Sequence, residues 1–134
     1  MRIGYIGLGN LGGHMAMSLI RKGFAVTIHD RNQSLADRHV AAGAEWAGSA
    51  GELAANCDVV MTCLPSPAAC ESVLAECLAA MKPGAIWIEN STLGRDEMVR
   101  LAEEAMKAGA WGVSTSFSPH HIDGSGGHVP SFFA

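Results

Sequence analysis

Residues 7–12 read Gly-Leu-Gly-Asn-Leu-Gly, and an aspartate, Asp30, follows within the next twenty positions. Glycines at this spacing have separate jobs when they sit between a strand and a helix. Gly7 permits a tight turn, Gly9 leaves the backbone open to a pyrophosphate, and Gly12 lets helix and strand pack closely. The free N–H groups and the positive dipole end of the helix then attract phosphates, with Leu8, Asn10 and Leu11 completing the loop. Asp30 ends the second strand, where a carboxylate accepts both ribose hydroxyls of an adenosine and repels a 2′-phosphate. This favours NAD. Arg31 keeps NADP open, because a guanidinium there pairs with a 2′-phosphate or lies on the adenine. The bland alternatives are a glycine-rich structural turn and a solvated strand-end acid. S-adenosylmethionine binds to the same kind of fold, but the pyrophosphate-type glycine spacing argues against it.

The surrounding elements must place these residues. Residues 2–6 form an apolar β run that stops at the glycines. Residues 11–22 carry Leu11, Met15, Leu19 and Ile20 at helical spacing, with Gly23 as a stop. Residues 25–29 read as a second strand, 34–42 as a helix and 45–47 as a short third strand. Ser49 and Glu52 form a capping-box pattern for a helix over 49–55. Residues 58–63 are a nearly all-apolar strand, suited to a sheet covered on both faces. A helix over 67–81 opens on Pro67. Strands over 85–89 and 110–113 flank a helix over 95–107. The alternation implies an α/β fold: a Rossmann-type, doubly wound, mainly parallel sheet with its ligand crevice at the carboxyl ends of the strands.

Composition bounds the rest. The chain has 134 residues, 49% hydrophobic and 16% charged, with a net charge of −4. That suits one domain with a real core and argues against disorder. Scattered basic residues point away from nucleic acid and membrane surfaces. No apolar run reaches spanning length, and the first residues lack a signal-peptide pattern. A cytoplasmic protein is the expectation. Cys57, Cys63, Cys70 and Cys77 contain no C-x-x-C, so small buried thiols in a reducing compartment are expected rather than a metal site.

Ile6-Gly7-Leu8-Gly9-Asn10-Leu11-Gly12, followed by Met15-Ala16 and Leu19, resembles the start of the 3-hydroxyisobutyrate dehydrogenase (β-hydroxyacid dehydrogenase) family, a group related to 6-phosphogluconate dehydrogenases. Cys63-Leu64-Pro65, Lys82-Pro83-Gly84 and Ser91-Thr92 match in order. The family usually has Met at the position of Leu11, and often a Pro shortly after the Ser-Thr pair, where this chain has Gly94-Arg95. The resemblance implies an NAD(P)-dependent 3-hydroxyacid dehydrogenase. It implies that Leu64 and Pro65 lie along the cofactor and that Thr92 contacts its nicotinamide end. It also implies a second, all-helical domain that carries a catalytic lysine beyond residue 134.

The last stretch, SFSPHHIDGSGGHVPSFFA, has neither helical nor strand period. The S-G-G of the family's substrate-carboxylate turn, D-x-P-V-S-G-G, should fall near Ser118-Pro119-His120, with Ser114 in place of the Asp. A Ser125-Gly126-Gly127 occurs later and inherits no role. The division expected is a dinucleotide-binding domain over 1–113 and an irregular tail over 114–134, read as a truncation or frameshift product. His120, His121, Asp123 and His128 are read as solvated rather than as metal ligands. No residue is assigned a catalytic role. A hydroxyacid would be a partner only with a helical domain supplied, and self-association through exposed apolar surface is expected. A dinucleotide-binding module without chemistry, or a degenerate gene product, is the rival function.

Overall fold

The computed structural model describes residues 1–114. Strand β1 (Arg2–Ile6) leads through the glycine loop into α1 (Asn10–Arg21). Then follow β2 (Ala25–His29), a 3-10 turn (Gln33–Leu35), α2 (Asp37–Ala41), β3 (Glu45–Trp46) and α3 (Ala50–Asn56). The second half holds β4 (Val59–Thr62), α4 (Pro67–Leu78), β5 (Ile86–Glu89), α5 (Arg95–Lys107) and β6 (Trp111–Ser114). The six strands make one sheet in the order β3-β2-β1-β4-β5-β6, and every neighbouring pair is parallel. The Rossmann-type expectation therefore holds, and β6 runs through Ser114, one residue past the expected boundary at 113.

Alternation along β1 explains the two layers of core. Tyr5 joins a cluster with Ala16, Val26, Ile28 and Ala36, under α1 and α2. Its neighbour Ile6 points the other way, into a cluster with Leu53, Val60, Leu74, Trp87 and Leu101, under α3, α4 and α5. Each large side chain fully buried in this way contributes about 1.5–3 kcal/mol. Gly4 faces the second cluster. A Cβ there would run into the Leu53 side chain, so its absence lets α3 sit close on the sheet.

Three elements depart from the sequence expectation. The helix expected over 34–42 is broken into a 3-10 turn and a five-residue helix. The break falls at Ala36. The Leu35 and Ala36 amides close tight bonds to the Asn32 and Gln33 carbonyls, and the α-helical ladder starts with the Val40 N–H on the Ala36 carbonyl. Asn32 Oδ1 caps the turn by accepting the Ser34 N–H at 3.2 Å and the Ser34 hydroxyl at 2.7 Å. Helix α4 stops at Leu78 rather than Met81, because the Ala80 and Met81 amides both turn back to the Cys77 carbonyl. The buried residues of α1 are the small ones, Gly12, Gly13 and Ala16. Leu11, expected on the apolar face, is 60% exposed.

The capping box of α3 forms with one change. Ser49 Oγ accepts the Glu52 N–H at 3.0 Å, while Glu52 accepts from the Gly48 N–H at 2.7 Å.

Candidate functional site

The carboxyl ends of β1, β2 and β4 surround a cleft of about 400 Å³. It lies where the strand order reverses, β1 being flanked by β2 on one side and β4 on the other. Ligands of open α/β sheets bind at such a point. Gly7, Gly9, Asn10, Leu11 and Gly12 form its floor on the β1 side. Asp30 and Arg31 stand at the end of β2, and Leu64 and Pro65 form the wall beyond β4.

The three loop glycines differ in what surrounds them. Gly7 has φ +95°, and a Cβ there would strike the Cys63 carbonyl. A Cβ on Gly12 would strike the Gly7 carbonyl. These two are glycine because protein fills the space. A Cβ on Gly9 would meet nothing within 4 Å. Its space opens into the cleft, at the head of α1. Gly9 is also the N-cap and has no side chain to occupy the helix end. The first helical bond runs from the Gly13 N–H to the Gly9 carbonyl at 2.9 Å, so the amides of Asn10, Leu11 and Gly12 precede the ladder. No acidic side chain sits in the first turn of α1 to repel an anion. The residues present therefore fit a pyrophosphate.

Asp30 does more than the sequence suggests. Its Oδ2 accepts the Leu8 N–H at 2.7 Å and its Oδ1 accepts the Asn32 N–H at 2.8 Å. The carboxylate thus pins the glycine loop to the end of β2, and each oxygen retains lone-pair capacity toward the cleft. Leu8 itself is 1% exposed and belongs to the core beneath α1, not to the cleft wall. Arg31 is exposed at the rim.

Residues 2–119 match the family described as the NAD binding domain of 6-phosphogluconate dehydrogenase. The chain belongs to this family. Within it, the resemblance to 3-hydroxyisobutyrate dehydrogenases holds. The mitochondrial 3-hydroxyisobutyrate dehydrogenase of Drosophila melanogaster is 34% identical over 109 residues, covering 81% of this chain and 34% of that protein. The solved 3-hydroxyisobutyrate dehydrogenase of Mycobacterium tuberculosis with L-serine superposes with a TM-score of 0.81 at 29% identity, covering 84% of this chain and 39% of that one. A reductive aminase from Aspergillus terreus, solved with NADPH and ethyl levulinate, gives a TM-score of 0.74 at 26% identity, covering 84% and 39%. The chain spans about a fifth to a third of the length of the curated relatives it matches.

In this NAD-binding domain, sequence reasoning missed a side-chain hub beside the cleft. The Ser91 hydroxyl donates to Glu89 Oε1 at 2.5 Å and accepts the Leu64 N–H at 2.6 Å. The Cys70 thiol also donates to it, at 3.4 Å. The Ser91 N–H reaches the same Glu89 oxygen at 2.8 Å. Glu89 is 1% exposed. Burial raises its carboxyl above the usual range, against the opposing pull of Ser91, Thr62 and Cys70. Its Oε2 makes no hydrogen bond of good geometry among the described residues. The sequence marked Ser91 and Leu64 through the family resemblance but did not join them, and Glu89 showed only as an acid at the end of an otherwise apolar strand.

Thr92, the residue next to the hub, is exposed and does not line the cleft. Ile6, His29, Cys63, Ala69, Ser72 and Val73 line it without having been singled out for it. Cys63 is half-buried, while Cys57, Cys70 and Cys77 are buried. Burial pushes the Cys70 and Cys77 thiols up to about 12 and raises the other two. No group of three metal-ligating side chains occurs among the described residues, and the tail histidines lie outside them. No helix among the described residues is long and apolar enough to cross a membrane.

Proposed function

We propose that this chain is the NAD(P)-holding part of a 3-hydroxyisobutyrate dehydrogenase-like oxidoreductase. The observation that carries the reading is the open space over Gly9, set between two glycines whose space is filled, at the head of α1. The pyrophosphate lies on the amides of α1 around Asn10 and Leu11. Asp30, held by the Leu8 N–H, takes the adenosine ribose, and Arg31 flanks the adenine. Leu64 and Pro65 run along the cofactor toward its nicotinamide end, the end to which the family resemblance assigns Thr92, a residue outside the cleft lining. When bound, the nicotinamide supplies hydride chemistry toward a small hydroxyacid. The unit that binds is taken as residues 1–113 together with Ser114, which closes β6. The four free thiols suit a reducing, cytoplasmic setting. Self-association of the isolated chain is expected on gel filtration, and a clean monomer would count against it.

A second reading, a dinucleotide-binding module without turnover of its own, draws support from the lysines. Lys22 follows α1, Lys82 precedes β5 and Lys107 ends α5, all exposed. In a parallel α/β sheet these positions lie at the edge opposite the cleft. None of them reaches a substrate there.

The test of the shared claim is a thermal titration with NAD and with NADP. A ligand that binds only the folded form stabilises by RT ln(1 + [L]/Kd), about 2.7 kcal/mol at a hundredfold excess over Kd. For a domain of this size that raises Tm by roughly 10 °C. NAD should give the larger rise. No rise with either ligand would refute the reading.

A further inference from the structure

We propose that the Ser91 hydroxyl, seated on the buried Glu89 carboxyl, is a positioning residue for the nicotinamide end of the cofactor, because it ties the Leu64-Pro65 wall to the turn bearing Thr92. The inference rests on the dinucleotide reading above. Its basis is where the sheet stops. The backbone ladder ends with the Cys63 N–H on the Ile6 carbonyl at 3.0 Å and the Asn90 N–H on the Thr62 carbonyl at 2.8 Å. Beyond that row, the loop after β4 and the loop after β5 have no ladder to hold them in register. The Leu64 N–H is instead taken by a side chain, Ser91 Oγ. Pro65 has no N–H to offer a second tie.

A serine hydroxyl has one proton and two lone pairs. All three are used, toward Glu89, Leu64 and Cys70. The orientation of the hydroxyl is therefore fixed, and with it the separation of the two loops. Glu89 is a costly way to achieve this, since a buried carboxyl loses hydration that an apolar residue would not need. An ordinary core residue at the end of β5 would serve stability alone. A carboxyl that collects both Ser91 donors serves geometry at the mouth of the cleft.

The test compares NAD with ADP-ribose, which lacks the nicotinamide, by calorimetry on the full 134-residue chain. The unaltered chain should bind NAD more tightly than ADP-ribose. Ser91→Ala should leave ADP-ribose binding unchanged and weaken NAD about fivefold, the scale of one hydrogen bond. Ser91→Cys, close to serine in size but a weak acceptor, should do the same and covers the case in which the alanine variant fails to fold. Ser91→Thr keeps the hydroxyl and should retain the preference for NAD. An unaltered preference in the Ala or Cys variant would overturn the proposal. So would equal losses for both ligands, which mark a merely structural role, or equal affinity of the unaltered chain for the two. Failure of the unaltered chain to bind either ligand would instead refute the dinucleotide reading on which the proposal stands.

Discussion

Gly9 and Gly12 look alike in the sequence, yet they should fail in different ways. Gly9 has φ −59° and open space, so Gly9→Ala should fold with stability within about 0.5 kcal/mol of the parent. Its methyl would stand where the pyrophosphate must approach, so dinucleotide binding should drop. Gly12→Ala must push the Gly7 carbonyl aside and should cost about 2 kcal/mol by overpacking. Denaturant melts with and without NAD separate the two. Equal loss of stability in both variants would remove the distinction. Glu89 makes a pH prediction. Its folded carboxyl is raised by burial, so the folded state holds the proton more tightly than the unfolded chain does. That contribution is fully present below the ordinary value near 4.5 and is lost as pH rises toward the raised value. Glu89→Gln cannot ionise. Its stability relative to the parent should therefore improve as pH rises from 4.5 upward. A difference independent of pH, measured by urea unfolding across that range, would contradict the assignment.

Elements were legible wherever the signal was local. The strand before Gly7, the helix after it and the acid ending β2 all fall within thirty residues, and each appears where the pattern put it. The break at Ala36 was harder to read, because nothing in the periodicity of residues 34–42 marks where 3-10 bonds give way to the α-helical ladder. Ser91 and Leu64 stood in the matched motifs, but the hub that joins them was not legible. It joins the loop after β4 to the loop after β5, residues 27 apart, and only the register of the two strands brings them together. The same register places Cys63 on the cleft wall. A thiol reagent should therefore distinguish it from the others. In the native chain Cys57, Cys70 and Cys77 should react only on unfolding, while Cys63 should react slowly. NAD should protect Cys63 by covering the cleft. Labelling followed by peptide mass analysis reads this directly, and a Cys63 rate indifferent to saturating NAD would place the ligand elsewhere.

On the scale of the whole molecule, the sheet sets the cleft and the chain's lysines at opposite ends of its strands. The cleft opens at the carboxyl ends of β1, β2 and β4. Oxidising a hydroxyacid also needs a group that takes the hydroxyl proton as hydride leaves, within hydrogen-bond reach of the substrate. The chain's lysines stand at the far ends of α1 and α5 and before β5, at the amino ends of the strands and so a strand length away from that cleft. Of the titratable groups lining the cleft, His29 and Asp30 stand at the end of β2, on the adenosine side of the proposed cofactor, and burial raises the Cys63 thiol so that it keeps its proton. His29 Nδ1 faces the Ala47 carbonyl at 3.0 Å, and Asp30 holds the Leu8 and Asn32 amides. The pure 134-residue chain should therefore bind NAD and yet show no reduction of it above background with 3-hydroxyisobutyrate, L-serine or D-glycerate, followed by the absorbance of the reduced nicotinamide. Binding without turnover would mean that the proton-transfer group comes from another domain or chain. Turnover by the pure chain would mean that a residue of the cleft, or of residues 115–134, performs the proton transfer, and the separation argued from the sheet would be wrong.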